Sequence, residues 1–114
     1  MKICECADEG YRRLVENPVW TVAVINYAPR FDAANFVRME RHMKTDEVFV
    51  LLAGRATLVV GETMERVEME PTKLYTMEHG EWHHVLLSRD AKVLVVENAD
   101  TCPGNTEYRD VARA

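Results

Sequence analysis

Apolar residues occur along this chain in short blocks, separated by residues that favour turns. Val, Ile, Leu, Phe and Tyr dominate the blocks, as is typical of strands in a half-buried sheet. The breaks contain Gly, Pro, Asp or Asn, for example at Gly54-Arg55 and Glu70-Pro71. The pattern predicts eight strands: Val19–Tyr27, Asn35–Arg41, Glu47–Ala53, Ala56–Val60, Met64–Met69, Lys73–Met77, Trp82–Leu87 and Lys92–Glu97.

Short strands at this regular spacing predict an all-β sandwich or barrel. The helical prediction is limited to one short segment, Asp8–Glu16, which Asn17-Pro18 would end. The 114 residues suit a single domain, 1–114, and 47% of them are apolar, so a modest core can form. Small size and strands that are apolar on both faces favour a homodimer, with Trp20 as a candidate interface residue.

Charge and hydropathy argue against two classes of partner. The net charge is −5, and 14 Lys and Arg residues against 19 Asp and Glu residues do not make a basic surface for nucleic acid. No apolar run approaches the roughly 20 residues of a membrane span, and the N-terminus lacks the apolar segment of a secretory signal. We therefore expect a cytoplasmic protein with no nucleic-acid partner and no membrane partner.

Cysteine and glycine spacing argue against a disulfide framework and a nucleotide cofactor. Cys4, Cys6 and Cys102 are odd in number, and the first two are too close together for an ordinary bridge, so we expect free thiols. The sequence has neither Gly-x-Gly-x-x-Gly nor Gly-Lys-Ser/Thr, the glycine patterns that hold phosphates. Gly54 and Gly61 are interpreted as hairpin residues.

Potential metal ligands lie at the ends of predicted strands. Glu40 and His42 are two residues apart and share a strand face, Glu47 begins the next strand, and His83 lies at the start of a later one. If these four side chains meet at one end of a barrel, they match the ligand preferences of Mn, Fe, Ni, Co or Zn. Alternatively, each His is a structural residue, ion-paired with a neighbouring carboxylate. The spacing leaves both interpretations open.

The same residues resemble the two motifs of the cupin superfamily. Glu40-x-His42-x4-Glu47-x6-Gly54 resembles the first motif, His-x-His-x(3,4)-Glu-x6-Gly, and Glu78-His79-Gly80-Glu81-Trp82-His83 resembles the second, Pro-x-Gly-x2-His. Seventeen residues separate Gly54 from Thr72, which stands where the second motif opens with Gly, and this distance is typical of small cupins. The chain is similar to the small single-domain bacterial cupins, many of which have no assigned activity.

The resemblance implies a fold and a cofactor. The fold is the cupin-type double-stranded β-helix, a jelly-roll barrel of six to eight strands with a site inside its mouth. The cofactor is a divalent transition metal, which cupins typically bind through two His, one Glu and a third His. Carried over position by position, the ligands are Glu40, His42, Glu47 and His83, with Glu replacing the first His. The second motif departs from its usual form at three positions: Thr72, Glu78 and Leu87 replace its Gly, Pro and Asn.

Other polar residues near the motifs are candidates for ligand binding and proton transfer. Arg38 shares a face with Glu40 and can bind a carboxylate or a sugar hydroxyl, or else form an ion pair with Glu40 or Glu47. Tyr75 and His79 share a face, so they are candidates for catalysis together with Glu40, and Tyr75 also for ligand binding. The alternative is a packing role for Tyr75 and a rim position for His79. His84 is expected to face away from His83, in a structural or interfacial position.

Three functions remain open from the sequence. The first is a metal-dependent enzyme of isomerase, lyase or oxygenase type that acts on a small polar metabolite. The alternative is a metal-free, non-catalytic module that binds a small ligand, and a purely structural role is the third. The tail from Asn98 to Gly104 carries no readable motif, and we expect it to fold back along a barrel edge.

Overall fold

Ten antiparallel strands make up almost all of the regular structure. The computed structural model describes residues 1–112. The strands are β1 (Gly10–Glu16), β2 (Trp20–Asn26), β3 (Arg38–His42), β4 (Glu47–Ala53), β5 (Ala56–Val60), β6 (Glu65–Glu68), β7 (Tyr75–Met77), β8 (His83–Leu87), β9 (Lys92–Asn98) and β10 (Thr106–Asp110). Short 3₁₀ turns occur at Pro29–Phe31, Ala33–Asn35 and Pro103–Asn105. The all-β prediction is confirmed.

The strands form two five-stranded sheets that face each other. One sheet has the order β1-β2-β9-β4-β7, and the other has the order β10-β3-β8-β5-β6. Consecutive strands therefore alternate between the sheets at several points, as a jelly roll requires. The main core lies between the sheets and is formed by residues such as Ala23, Phe49, Leu58, Val85 and Val95.

Two terminal strands depart from the sequence prediction. Segment Asp8–Glu16 was predicted as a helix, and this is wrong, because residues 10–16 form β1 and pair with β2 along its whole length. The strand wins because its ladder with β2 satisfies the backbone hydrogen bonds that a short, weakly patterned helix would have to form alone. The tail returns as β10 along the edge of the second sheet, where it pairs with β3.

The second sheet is incomplete between β3 and β8. These strands pair at one position, Glu40 with His83, and then diverge. The 3₁₀ segment around Phe31 packs beside the resulting gap, in contact with β8. Side chains on the outer face of β8 can therefore reach the same space as side chains that point into the barrel.

The two motif glycine positions have left-handed backbones, with different consequences. Gly54 has φ +68°, and a Cβ there would lie 2.6 Å from the Cα of Ala91, so no other residue fits. Thr72 has φ 73°, although it carries a branched side chain. A non-glycine residue in this region costs roughly 1–2 kcal/mol. Thr72 thus adopts a left-handed backbone conformation that favours glycine, the residue that the second motif usually has at this position.

Two sequence predictions concern membranes and self-association. In residues 1–112, no helical segment is long and apolar enough to cross a membrane. The homodimer stays a prediction; Trp20, its candidate interface residue, is 47% exposed. Sedimentation at micromolar concentration distinguishes a dimer from a 114-residue monomer.

Candidate functional site

A cavity of about 920 Å³ opens between the two sheets. Its lining includes all four residues that the sequence analysis named as metal ligands: Glu40, His42, Glu47 and His83. Glu40 and His42 extend from β3, His83 from the neighbouring β8, and Glu47 from β4 of the opposite sheet. We call this part of the cavity, together with Glu97 of β9, the acidic end.

At the acidic end, four nitrogen–oxygen separations lie between 2.5 and 3.9 Å, and that between His83 and Glu47 falls in the range found around a single metal ion. Nε2 of His83 lies 3.2 Å from Oε1 of Glu47, and the Nε2 atoms of His42 and His83 lie 3.8 and 3.9 Å from Oε1 of Glu40. Ligand atoms that bind one metal at 2.0–2.2 Å lie about 3.0–3.5 Å apart. The contact between His42 Nε2 and Glu47 Oε1 is shorter, 2.5 Å, which is a hydrogen-bond distance.

Hydrogen bonds on the far side of each imidazole fix which nitrogen faces the cavity. Nδ1 of His83 lies 3.0 Å from the carbonyl oxygen of Glu81, which can only accept, so Nδ1 donates. Nδ1 of His42 lies 2.9 Å from the Thr106 hydroxyl, whose own proton goes to the carbonyl of Cys102. Nδ1 of His42 therefore donates as well. In the neutral rings, both Nε2 atoms consequently present lone pairs to Glu47.

Three acceptors thus meet in a buried space. With neutral rings, Oε1 of Glu47 and Nε2 of His83 are buried without a hydrogen-bond donor. Unpaired acceptors of this kind are costly, so they require either a cation or additional protons. The donor set of two imidazoles and a carboxylate fits a divalent transition metal such as Zn, Fe, Co, Ni or Mn.

Without a cation, the same atoms attract protons. Burial lowers the pKa of His42 and of His83, but the hydrogen bond and charge of Glu47 outweigh it, and both values are raised. Burial would raise the pKa of Glu47, but hydrogen bonds from the two imidazoles lower it to about 2. Without a metal, Glu47 therefore stays a carboxylate, and the two imidazoles hold their protons to higher pH than a free histidine does.

Glu97 is a buried carboxylate that the sequence analysis did not single out. It lies opposite Glu47 in the ladder between β4 and β9, and its carboxylate belongs to a second potential metal-binding group with His42 and Glu47. Burial is the main cause of its raised pKa, to which Glu47 adds. The signal was present in the sequence, because Glu97 ends the alternating apolar series Val93-x-Val95.

Two residues of β1 complete the surroundings of Glu97. The Tyr11 hydroxyl donates a hydrogen bond to Oε1 of Glu97, and Arg13 lies 3.3 Å from the same oxygen. Burial and the carboxylate both raise the pKa of Tyr11. Sequence reasoning missed both residues, because the helix predicted for 8–16 gave no reason to place them on a barrel wall.

The opposite part of the cavity carries positive charge. Arg30, Arg38 and His84 line it beside the gap between β3 and β8, and we call this the basic end. His84 faces away from His83 on β8, as the alternation predicted, yet the gap exposes it to the same cavity. Its ring stacks on Phe36, with centroids 4.9 Å apart, and on Phe31 at 6.1 Å. Burial, and next the charge of Arg30, lower the pKa of His84 to about 4.

Two of the sequence candidates lie away from this cavity. The Tyr75 hydroxyl accepts a hydrogen bond from the backbone of Glu70, and its ring lines a smaller cavity of about 270 Å³ near β6 and β7. His79 lies at the surface with its Nδ1 3.0 Å from Asp46. Arg38 does line the main cavity, and it forms no ion pair with Glu40 or Glu47.

Solved structures with the same architecture identify the fold. The nucleoside dehydratase Pac13 of Streptomyces has 12% sequence identity and a TM-score of 0.67, over 99% of this chain and 95% of that one. A cupin-2 domain protein of Shewanella frigidimarina has 15% identity and a TM-score of 0.61, over 78% and 79% of the two chains. HppE in its iron(II) form with substrate has 16% identity and a TM-score of 0.62, over 75% of this chain and 51% of that one.

These likenesses establish the fold and leave the activity open. No family model and no curated protein matches the sequence. At identities of this size, the structural similarity concerns the backbone architecture alone. The chain has the cupin fold, as the two motifs implied.

Proposed function

We propose that this cupin-fold barrel binds a divalent transition metal through His42, Glu47 and His83 and takes up a small polar metabolite beside it. Glu40, which is 39% exposed and faces the same atoms, serves as a further ligand or as the group that moves a proton. The reaction would be of isomerase, lyase or oxygenase type. The metal identity stays open among Mn, Fe, Co, Ni and Zn.

One observation carries the proposal. Three buried acceptor atoms converge, and each imidazole is turned toward the others by a hydrogen bond from its far nitrogen. Such outer hydrogen bonds are usual for histidines that bind metals, because they fix the tautomer and orient the ring.

The chemistry of such a site follows from its residues. A bound metal would supply a Lewis acid that polarises a carbonyl or hydroxyl oxygen of the metabolite. Glu40 is accessible from the cavity, so its carboxylate can accept a proton from a bound molecule. Glu97 has a raised pKa and accepts a hydrogen bond from Tyr11, so these two groups can hold a proton on the sheet that faces Glu40.

A second function is favoured by the 2.5 Å contact between His42 and Glu47. This distance suits a proton shared between the two side chains, which is the arrangement of a metal-free barrel. In that case the protein is a non-catalytic module that binds a small ligand. Binding that raises the melting temperature without any conversion of the ligand would support this alternative.

Elemental analysis of untagged protein, purified without chelator, tests the metal site. We expect about one transition metal ion per chain in the wild type and none in the His42→Ala/His83→Ala double variant. His79→Ala is the matched control, because it removes an exposed histidine that is hydrogen-bonded to Asp46 outside the cavity. It should retain the metal. Circular dichroism establishes that each variant is folded.

The opposite result is equally informative. A folded wild type that contains no metal and takes up no added Mn, Fe, Co, Ni or Zn would overturn the metal proposal and leave the metal-free module. If metal is present, turnover on panels of sugars and organic acids is the next measurement. Turnover that disappears in His83→Ala, with the fold intact, would establish an enzyme.

A further inference from the structure

The two arginines of the basic end are held by aromatic rings. The guanidinium of Arg30 lies 4.2 Å from the centre of the Phe31 ring, and that of Arg38 lies 4.0 Å from the centre of the Tyr108 ring. Stacking uses the flat face of a guanidinium and leaves the N–H groups at its edge available. A stacked arginine is therefore oriented to bind a planar or tetrahedral anion at its edge.

These arginines also lack a counter-charge of their own. Among residues 1–112, neither Arg30 nor Arg38 forms an ion pair with a carboxylate, whereas Arg13 and Arg41 pair with Glu97 and Glu107. Asp110 faces Arg38 in the ladder between β3 and β10 and lines the same cavity. The guanidinium nevertheless lies over the Tyr108 ring, and within the described part of the chain, residues 1–112, Asp110 forms no ion pair.

His84 adds an unsatisfied polar atom to the same place. Its Nε2 is buried and has no hydrogen-bond partner in residues 1–112, and its ring is fixed between Phe31 and Phe36. An imidazole fixed in this position can form a hydrogen bond with a polar group that enters the cavity.

We propose that the basic end is a binding site for an oxyanion, the carboxylate or phosphate group of a small metabolite. Arg30 and Arg38 hold the anion at the mouth, and His84 contacts the adjoining polar atom. The inference extends the proposed function, because the same molecule would reach the acidic end with its other, uncharged oxygen atoms. Arg38 and Glu40 are two residues apart on β3, so their Cα atoms are about 6.6 Å apart. A chain of three to five carbons, with an anion at one end, matches that span.

Three probes that share one carbon frame test this inference. Glycerol 3-phosphate, glycerate and glycerol differ in carrying a phosphate, a carboxylate or no anion. Isothermal titration is run on chelator-treated protein at constant ionic strength, so that a metal cannot be the receptor of the anion. We expect at least one anionic probe to bind about tenfold more tightly than glycerol, and the preferred probe identifies the anion.

Single variants locate the binding. Arg30→Gln and Arg38→Gln should each weaken the anionic probe by about tenfold and leave glycerol unchanged. Arg66→Gln is the matched control, because it removes an exposed arginine of β6 outside the cavity. Its affinity for the probe should equal that of the wild type. Melting temperatures are measured for all three variants to establish that they are folded.

Several outcomes would overturn the proposal. They are equal affinity for glycerol and for the anionic probes, no binding of either anion, and an equal loss in Arg66→Gln and Arg38→Gln. The metal proposal is tested separately, because the arginine variants should keep the metal content of the wild type. Anion binding in a chain that never takes up metal would leave the basic end standing and remove the metal site.

Discussion

The two ends of the cavity handle charge in opposite ways. At the acidic end, Glu47, His42 and His83 are at most 9% exposed, and each depends on the others or on a cation. At the basic end, Arg30 and Arg38 are exposed and have no carboxylate partner among residues 1–112. Burial explains the difference, since an unpaired charge is costly inside the protein and inexpensive at a wet mouth. Changes at the acidic end should therefore alter the stability of the fold, whereas the arginines of the basic end can contact a ligand without first breaking an ion pair.

The largest effect should come from removing the carboxylate that the two imidazoles share. Glu47→Gln keeps the shape of the side chain and removes its charge, so the protonated imidazoles lose their partner. We expect a loss of about 3 kcal/mol in the free energy of unfolding, measured by urea denaturation of chelator-treated protein. The cost is high because the histidines remain buried.

Glu40→Gln is the matched control at the same end. Its carboxylate is 39% exposed and lies 3.8 Å or more from both imidazoles. The change in unfolding free energy should stay below about 1 kcal/mol. Equal losses in the two variants would contradict the distinction between a buried, shared charge and an exposed one.

A smaller effect is expected from Thr106, which orients His42. Thr106→Val removes the oxygen that accepts the Nδ1 proton of His42, so the ring can turn or change tautomer. We expect metal affinity to fall by roughly 10- to 100-fold while the unfolding free energy of the metal-free protein changes little. Competition with a metal-chelating dye measures the affinity. Thr57→Val is the control, since the Thr57 hydroxyl on β5 donates a hydrogen bond to Glu68 on the edge strand β6, away from the metal ligands. An equal loss of metal affinity in Thr57→Val would contradict the role assigned to Thr106.

The stability of the metal-free protein should fall as pH rises above 6.5. His42 and His83 have raised pKa values in the fold, so the stability they contribute is complete below the unfolded value of 6.5. This contribution is lost as pH rises through the pKa values of the folded state. Glu47 contributes with the opposite sign: its stabilisation is present above the unfolded value of 4.5 and is lost as pH falls toward about 2.

Urea denaturation at pH 7 and 8.5 measures this decline. His84 does not obscure it, because its folded pKa of about 4 and its unfolded value of 6.5 both lie below this range. Saturating metal should abolish the decline, since the metal replaces the protons on both imidazoles. The His42→Ala/His83→Ala variant should show little decline. A wild-type profile that is equally flat without metal would show that the imidazoles hold no extra protons.

The acidic end was largely predictable from the sequence, and the basic end was not. Glu40, His42, Glu47 and His83 lie on or at the ends of predicted strands, and strand alternation together with the motif resemblance predicted that they converge. Glu97 lies opposite Glu47 in the other sheet's ladder between β4 and β9, and it was recognisable as a carboxylate that ends an apolar strand face. Local pattern suffices here because each residue's direction follows from its own strand.

The remaining features depend on contacts between distant segments. Tyr11 and Arg13 reach the cavity because β1 pairs with β2, and a weak helical pattern at residues 8–16 concealed this. His84 enters the cavity because β3 and β8 diverge after one pair, which no alternation rule indicates. Arg30 arrives on a 3₁₀ turn, whose direction depends on the strands it packs against. Tyr75 and His79 share a face in sequence but lie outside the main cavity: Tyr75 lines the smaller cavity near β6 and β7, and His79 lies beyond the end of β7, beside Asp46.

The smallest expected effect is a gain in anion affinity when Asp110, beside the basic end, loses its charge. Asp110 faces Arg38 across the ladder and competes with any anion for it. Asp110→Asn should therefore tighten binding of the anionic probe by about two- to fivefold, because an exposed opposing charge is worth a few tenths to 1 kcal/mol. Glu107→Gln changes the net charge by the same amount but acts on Arg41, outside the cavity, so titration should show no gain. An equal gain in both variants would mean that the probe senses the overall charge of the protein. A gain in Asp110→Asn alone would place the anion beside Arg38, at the basic end, where the arginines form no ion pair with a carboxylate of residues 1–112.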